Sequence, residues 1–207
     1  SFCDTKAEAT LEEMKLCLLI AVLALEWRTS YAVPLSRAIL QPVTAGDFGF
    51  DYLHLVQEWP GSFCDTKAGC KWPSVPPHSG WLLHGLWPEF INGSWPQFCD
   101  PKAPFNMSAI SDLLPELEAY WPSLVSPDQS AFWAHEWNRH GTCAEQLTPT
   151  ERAYFRLVLT LREQFDVSKA LAAAGIVPGA TTTWADAKAA LDKAVGFQVE
   201  VGCNADS

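Results

Sequence analysis

Three of the five histidines fall in two short segments, WLLHGLWP over Trp81–Pro88 and FWAHEWNRHGTC over Phe132–Cys143. On a helix turning about 100° per residue, with His135 as origin, Arg139 lies at about 40°, Phe132 at about 60°, Glu136 at about 100° and His140 at about 140°. These share one face, while Trp137 and Asn138 point elsewhere. Four polar groups on one helix face are expensive to bury unpaired, so the face is either solvated or a site. Imidazoles titrate near neutrality, and grouping them with a carboxylate and a guanidinium beside aromatics suits acid–base work on a phosphate ester. Cutting RNA through its own 2′-hydroxyl needs a base for that proton, an acid for the leaving 5′-oxygen, and cations for the crowded phosphorane. No metal is obligatory, and no cofactor is expected.

Other chemistries fit less well. His135 and His140 are five residues apart, one more than the HExxH zinc motif places on one helical face. A mixed zinc site with Cys99 and Cys143 competes with disulfide formation, as does a cysteine–histidine nucleophile. Serine hydrolysis lacks a G-x-S-x-G turn.

The elements that must hold these residues are legible in outline. Tyr52–Trp59 alternates as a strand, with Leu53, Leu55, Gln57 and Trp59 on one face, and Gln57 there needs a hydrogen-bond partner. Ile110–Trp121 is predicted as a helix interrupted or restarted near Pro115, and Ser130–His140 as another, stopped by Gly141. Thr148-Pro149-Thr150-Glu151 offers an N-cap, an N1 proline and a capping-box acid for a helix that buries Tyr154, Leu157, Val158, Leu161 and Phe165. Thr183 with Asp186 opens a last helix ending at Gly196, and Phe197–Val201 alternates as a strand. The Pro-rich Trp72–Gly80 stretch is a surface loop. Strands and helices interleave without a strict βαβ repeat, which gives an α+β class. His54 and His78 are expected to be structural, and Trp59, Trp72, Trp81, Trp121, Trp133 and Trp184 to serve packing.

Length and charge set the surroundings. A chain of 207 residues with 48% apolar content suits one domain with a real core. Its net charge of −10 excludes a global basic field, so a polyanion must be gripped locally. The apolar run Leu16–Leu25 is too short for a bilayer; with Met14-Lys15 before it and Ser30-Tyr31-Ala32 after, it is predicted as a secretory signal over residues 14–32. The domain is then residues 33–207, with 11 basic against 19 acidic residues. Residues 1–13 are unexplained, and SFCDTKA, present at 1–7 and again at 62–68, is given no function. The expected mature chain carries Cys64, Cys70, Cys99, Cys143 and Cys203 as disulfide candidates, an odd set whose pairing stays open. Asn92 and Asn106 head glycosylation sequons.

His84-Gly85-Leu86-Trp87-Pro88 together with His135 to Cys143 resembles the paired signatures of the ribonuclease T2 family of secreted or vacuolar acid ribonucleases. Gln57 to Asp65 (QEWPGSFCD) and Trp95 to Asp100 (WPQFCD) extend the likeness, which runs from about Phe50 to Cys203. The resemblance implies a single α+β domain with a central antiparallel sheet packed by helices, the closing C-terminal strands being absent here. It implies His84 and His140 as the acid and base pair, in either order, with Glu136 catalytic and His135 and Arg139 supporting the phosphate. Trp87, Phe132 and Gln57 would be base-binding. Arg139 stands where the family often has lysine, which replaces a point cation by a planar fork. The likeness further implies disulfides Cys64–Cys70 and Cys99–Cys143, with Cys203 pairing further along. The expected activity is metal-independent cleavage of single-stranded RNA, with low base specificity, through a 2′,3′-cyclic phosphate to a 3′-phosphate. A secreted or vacuolar monomer with no membrane attachment once mature is expected, working at acidic pH. The rival expectations are a ribonuclease-fold recognition or storage protein and, more remotely, a zinc hydrolase.

Overall fold

The computed structural model describes residues 9–10, 16–23, 49–64, 70 and 80–203. The strands are β1 (Ala9–Thr10), β2 (Leu16–Leu23), β3 (Tyr52–Glu58), β4 (Leu82–Glu89), β5 (Thr181–Thr182) and β6 (Val199–Cys203). The helices are α1 (Pro60–Cys64), α2 (Leu114–Tyr120), α3 (Gln129–Arg139), α4 (Glu151–Gln164), α5 (Val167–Ala173) and α6 (Trp184–Val195). Four strands form an antiparallel sheet in the order β4-β3-β2-β6, and β1 pairs with β5. This is an α+β domain. The described part of the apolar run expected to be the middle of a secretory signal, Leu16–Leu23, is β2, in register with β3 from Leu19 opposite Gln57 to Leu23 opposite Leu53. A run without polar residues suits a strand as well as a signal, and periodicity does not separate the two. The Ser30–Ala32 cut site, His78 and nearly all of the Pro-rich loop lie outside the described residues.

The β3–β4 ladder carries the feature on which the site depends. Val56 pairs with Gly85 but Gln57 pairs with Leu83, so His84 is an extra residue on β4. Such a bulge re-aims a side chain and frees its carbonyl from the ladder. The His84 carbonyl accepts the Trp121 indole N–H at 2.9 Å, and the Leu86 carbonyl accepts the buried Tyr154 hydroxyl at 2.8 Å. The backbone of β4 is thus pinned by the aromatic core.

That core joins Leu53 and Leu55 of β3, Leu83 and Leu86 of β4, Trp133 and Trp137 of α3, and Tyr154, Phe155, Val158 and Leu159 of α4. A second cluster gathers Trp81, Val167 and Leu171 of α5, Ala187 and Leu191 of α6, and Val199. Trp81, Trp121 and Trp133 are buried, as their packing role requires, with Trp59 and Trp184 partly buried in the second cluster. The interrupted helix is a 3₁₀ stretch, Met107–Leu113, followed by α2 with Pro115 in its first turn.

Two local expectations shift. The cap of α4 is Thr150, whose hydroxyl accepts the Ala153 N–H, because Thr148 is already committed to the Ala144 carbonyl. The buried stripe of α4 accordingly includes Phe155 and Leu159, with Leu157, Leu161 and Phe165 at its margin. Gly141 does not end α3 by a left-handed turn; it opens a 3₁₀ turn, Gly141–Ala144, and a Cβ there would run into the Trp137 ring and, at 3.1 Å, Tyr154. For α6, by contrast, Thr183 caps the start and Gly196 ends it at φ 84°.

Candidate active site

Residues from β4, from the loop after it and from the end of α3 line one cleft of about 300 Å³: His84, Trp87, Glu89, Trp95, His135, Glu136, Arg139 and His140. All four polar residues placed on one face of α3 reach it, along with His84 and Trp87. Gly85 makes the approach possible, since a Cβ there would lie 2.6 Å from Glu136 Oε2 and would also strike the Trp87 indole nitrogen.

Trp87 touches both His84 and His140. The His140 ring stacks on it at 5.3 Å and 25°, and His84 meets it edge-on at 5.5 Å. Its indole N–H donates to Glu136 Oε2 at 3.3 Å. The two histidines have different electrostatics. Burial, with Arg139, His135 and His84 nearby, lowers His140 to about 3. Burial opposes charge on His84 as well, but the Glu58 carboxylate, hydrogen-bonded to Nδ1 at 2.7 Å, and Glu136 beyond it raise the ring above its ordinary value. Burial pushes Glu136 up to about 7 against the pull of His84, Trp87 and Arg139. His135 is lowered by burial, Arg139 and His84. Around neutrality the cleft therefore holds one imidazole favoured as a cation, His84, two disfavoured as cations, His135 and His140, and a carboxyl poised between states. The Arg139 Nε and His140 Nδ1 are buried with no hydrogen-bond partner among the described residues. Arg139 is also one of the residues lining the cleft.

Three functional candidates were missed. Glu58 adjoins Gln57, and the alternation that favoured the apolar face of β3 hid the neighbour that reaches His84. Gln57 itself lies with Leu53 and Leu55 and donates to the Phe165 carbonyl at 2.9 Å, away from the cleft lining. Glu89 accepts from Tyr52 at 2.8 Å and pairs with His54 at 2.7 Å, which supplies the neighbour expected for His54. Trp95 is 52% exposed at the cleft mouth and had no sequence signal beyond its likeness to the family segment. Phe132 is packed edge-on against Trp121 and is not among the lining residues.

The loop after β4 is tied to α3 by bonds beyond the cleft. Phe98, at φ 54°, donates to the Arg139 carbonyl at 3.0 Å, and the Cys99 N–H reaches Thr142 Oγ1 at 3.2 Å. Disulfides join Cys99 to Cys143 and Cys64 to Cys70. The first consumes the thiolates that a mixed cysteine–histidine zinc site needs. His135, Glu136 and His140 crowd their donor atoms within 4.8 Å, the one set among the described residues close enough for an ion.

Residues 50–207 match the Ribonuclease T2 family. Extracellular ribonuclease LE of Solanum lycopersicum is 40% identical over 161 residues, which cover 76% of this chain and 70% of that protein. Ribonuclease 1 of Arabidopsis thaliana is similar to the same extent, 40% over 161 residues with 76% and 70% covered. The solved structure of RNase NT in complex with 5′-AMP superposes with a TM-score of 0.70 at 40% identity, covering 76% of this chain and 79% of that one.

Proposed function

The chain belongs to the ribonuclease T2 family, and from that premise we propose how its cleft cuts single-stranded RNA. It is an endoribonuclease of the metal-independent T2 type. The observation that carries the division of labour is the contrast between the two histidines that touch Trp87, one hydrogen-bonded to a carboxylate and the other buried beside Arg139.

His140, held neutral, is the general base, and His84, favoured as a cation, is the general acid. In the first step His140 takes the 2′-hydroxyl proton while the 2′-oxygen attacks phosphorus. The bond to the 5′-oxygen breaks as His84 protonates it, leaving a 2′,3′-cyclic phosphate. An arriving phosphate offsets the Arg139 and His135 charges that depress His140, and so restores its basicity where it is needed. Arg139 and His135 face the non-bridging oxygens, and Glu136, protonated below about 7, donates to them. In the second step the roles reverse: neutral His84 activates water, cationic His140 protonates the 2′-oxygen, and a 3′-phosphate remains.

Trp95 offers an exposed ring for any base to stack on, which suits broad base tolerance. Trp87 gives one face to His140 and contributes to base contact with what remains. The disulfides, together with exposed Asn92 and Asn106 in their sequons, support passage through the secretory pathway to the exterior or a vacuole. No helix among the described residues is long and apolar enough to cross a membrane.

The test is a short RNA beside its 2′-deoxy analogue, in EDTA, with His84→Ala and His140→Ala. A cyclic-phosphate product from the RNA alone is expected, and each variant is expected to lose about 10²–10⁴-fold while remaining folded. Full activity in either variant overturns the assignment.

A further inference from the structure

Glu58 is a charged side chain next to the reacting groups that the steps above leave without a task. Its Oε2 lies 2.7 Å from His84 Nδ1, and its side chain is 6% exposed while that of His84 is 34% exposed. The pair joins two strands. Glu58 ends β3, and His84 is the extra residue of the β4 bulge, which turns its ring to meet the carboxylate. With Nδ1–H donated to Glu58, Nε2 is the nitrogen left to face the cleft. Other groups also act on this ring. Glu136, His135 and Arg139 come from α3, and His140 follows it; on its own strand Trp87 lies edge-on, and from beyond α2 the uncharged Trp121 holds only the backbone carbonyl. Three of these, Arg139, His135 and His140, are cationic or can become so. Glu136 is neutral through much of the acid range, and Glu58 is the carboxyl hydrogen-bonded to the ring.

We propose that Glu58 is a positioning residue for RNA cleavage. Its carboxylate fixes the His84 tautomer that directs Nε2 at the leaving 5′-oxygen and keeps that nitrogen loaded with the proton it must deliver. The proposal rests on His84 being the acid. It assigns Glu58 no contact with substrate.

Glu58→Gln isolates the charge, because the amide oxygen can still accept Nδ1–H. Near pH 5 the variant is expected to keep kcat/KM within a few-fold of wild type. The alkaline limb of its pH profile is expected to move down by about one unit or more, a loss of about tenfold at pH 7. Glu58→Asp is expected to recover part of that limb. Superimposable limbs for Glu58→Gln and wild type would overturn the proposal. Should the buried substitution unfold the chain, ring-nitrogen NMR of wild-type His84 decides instead. A neutral form protonated at Nδ1, with a midpoint above that of an exposed histidine, supports the pair; protonation at Nε2 or a depressed midpoint refutes it. Activity retained by His84→Ala would remove the acid assignment without touching the NMR result, so the two failures are distinguishable.

Discussion

Glu136 changes charge near neutrality, and stability must follow. Its folded value is about 7 against an ordinary 4.5. A group raised on folding contributes stability that is fully present below the unfolded value and lost as pH climbs through the folded one. Wild type is therefore expected to gain on Glu136→Gln by about 3 kcal/mol as pH falls from 8 to 4.5, read from urea unfolding of both proteins. His140 acts in the opposite sense. Lowered to about 3, its contribution is present above 6.5 and declines as pH falls towards 3. The residues of α3 were legible because a helix has a rigid period, and His135, Glu136, Arg139 and His140 could hardly diverge. Glu58 was not, because a strand buried along Leu53–Glu58 presents chemistry on both faces, and alternation does not say which face meets a helix.

The β4 bulge shows how one element borrows stability from others. Its freed carbonyl at His84 is satisfied by Trp121, at the C-terminal cap of α2, whose own carbonyl accepts the Trp133 indole N–H at 2.8 Å. A chain of two indole bonds therefore links α3 to the strand that bears His84, the proposed acid. Trp121→Phe keeps a ring in the core but removes one donor. Leaving a buried carbonyl unpaired is expected to cost about 1–3 kcal/mol in urea unfolding, and to lower kcat/KM by releasing the bulge. The bulge had no sequence signal, since it exists only in the register between two strands. Helix ends were partly readable. Thr183 and Gly196 bound α6 as expected, whereas Thr148 and Thr150 both suit a cap and only the preceding turn, by engaging Thr148, decides between them.

Across the whole molecule, an acidic chain of net charge −10 carries a small cleft lined by the cationic Arg139. On the proposed mechanism RNA is held by that local field rather than by the surface at large. The Cys99–Cys143 disulfide spans 44 residues and fastens the mouth of the cleft to the end of α3. Removing it as Cys99→Ser/Cys143→Ser is expected to cost about 4 kcal/mol by the loop-entropy account, with the unfolding midpoint as readout. Its pairing was implied by family likeness and not by the cysteine spacing, which left several connectivities open. The flat contact of His140 on Trp87 has an optical consequence. A protonated imidazole quenches an indole that it touches, so the ring that receives the proton also controls emitted light. Fluorescence of wild type minus that of a Trp87→Phe variant isolates this signal from the other indoles, and the protein thereby carries a built-in reporter of the two histidines that touch Trp87.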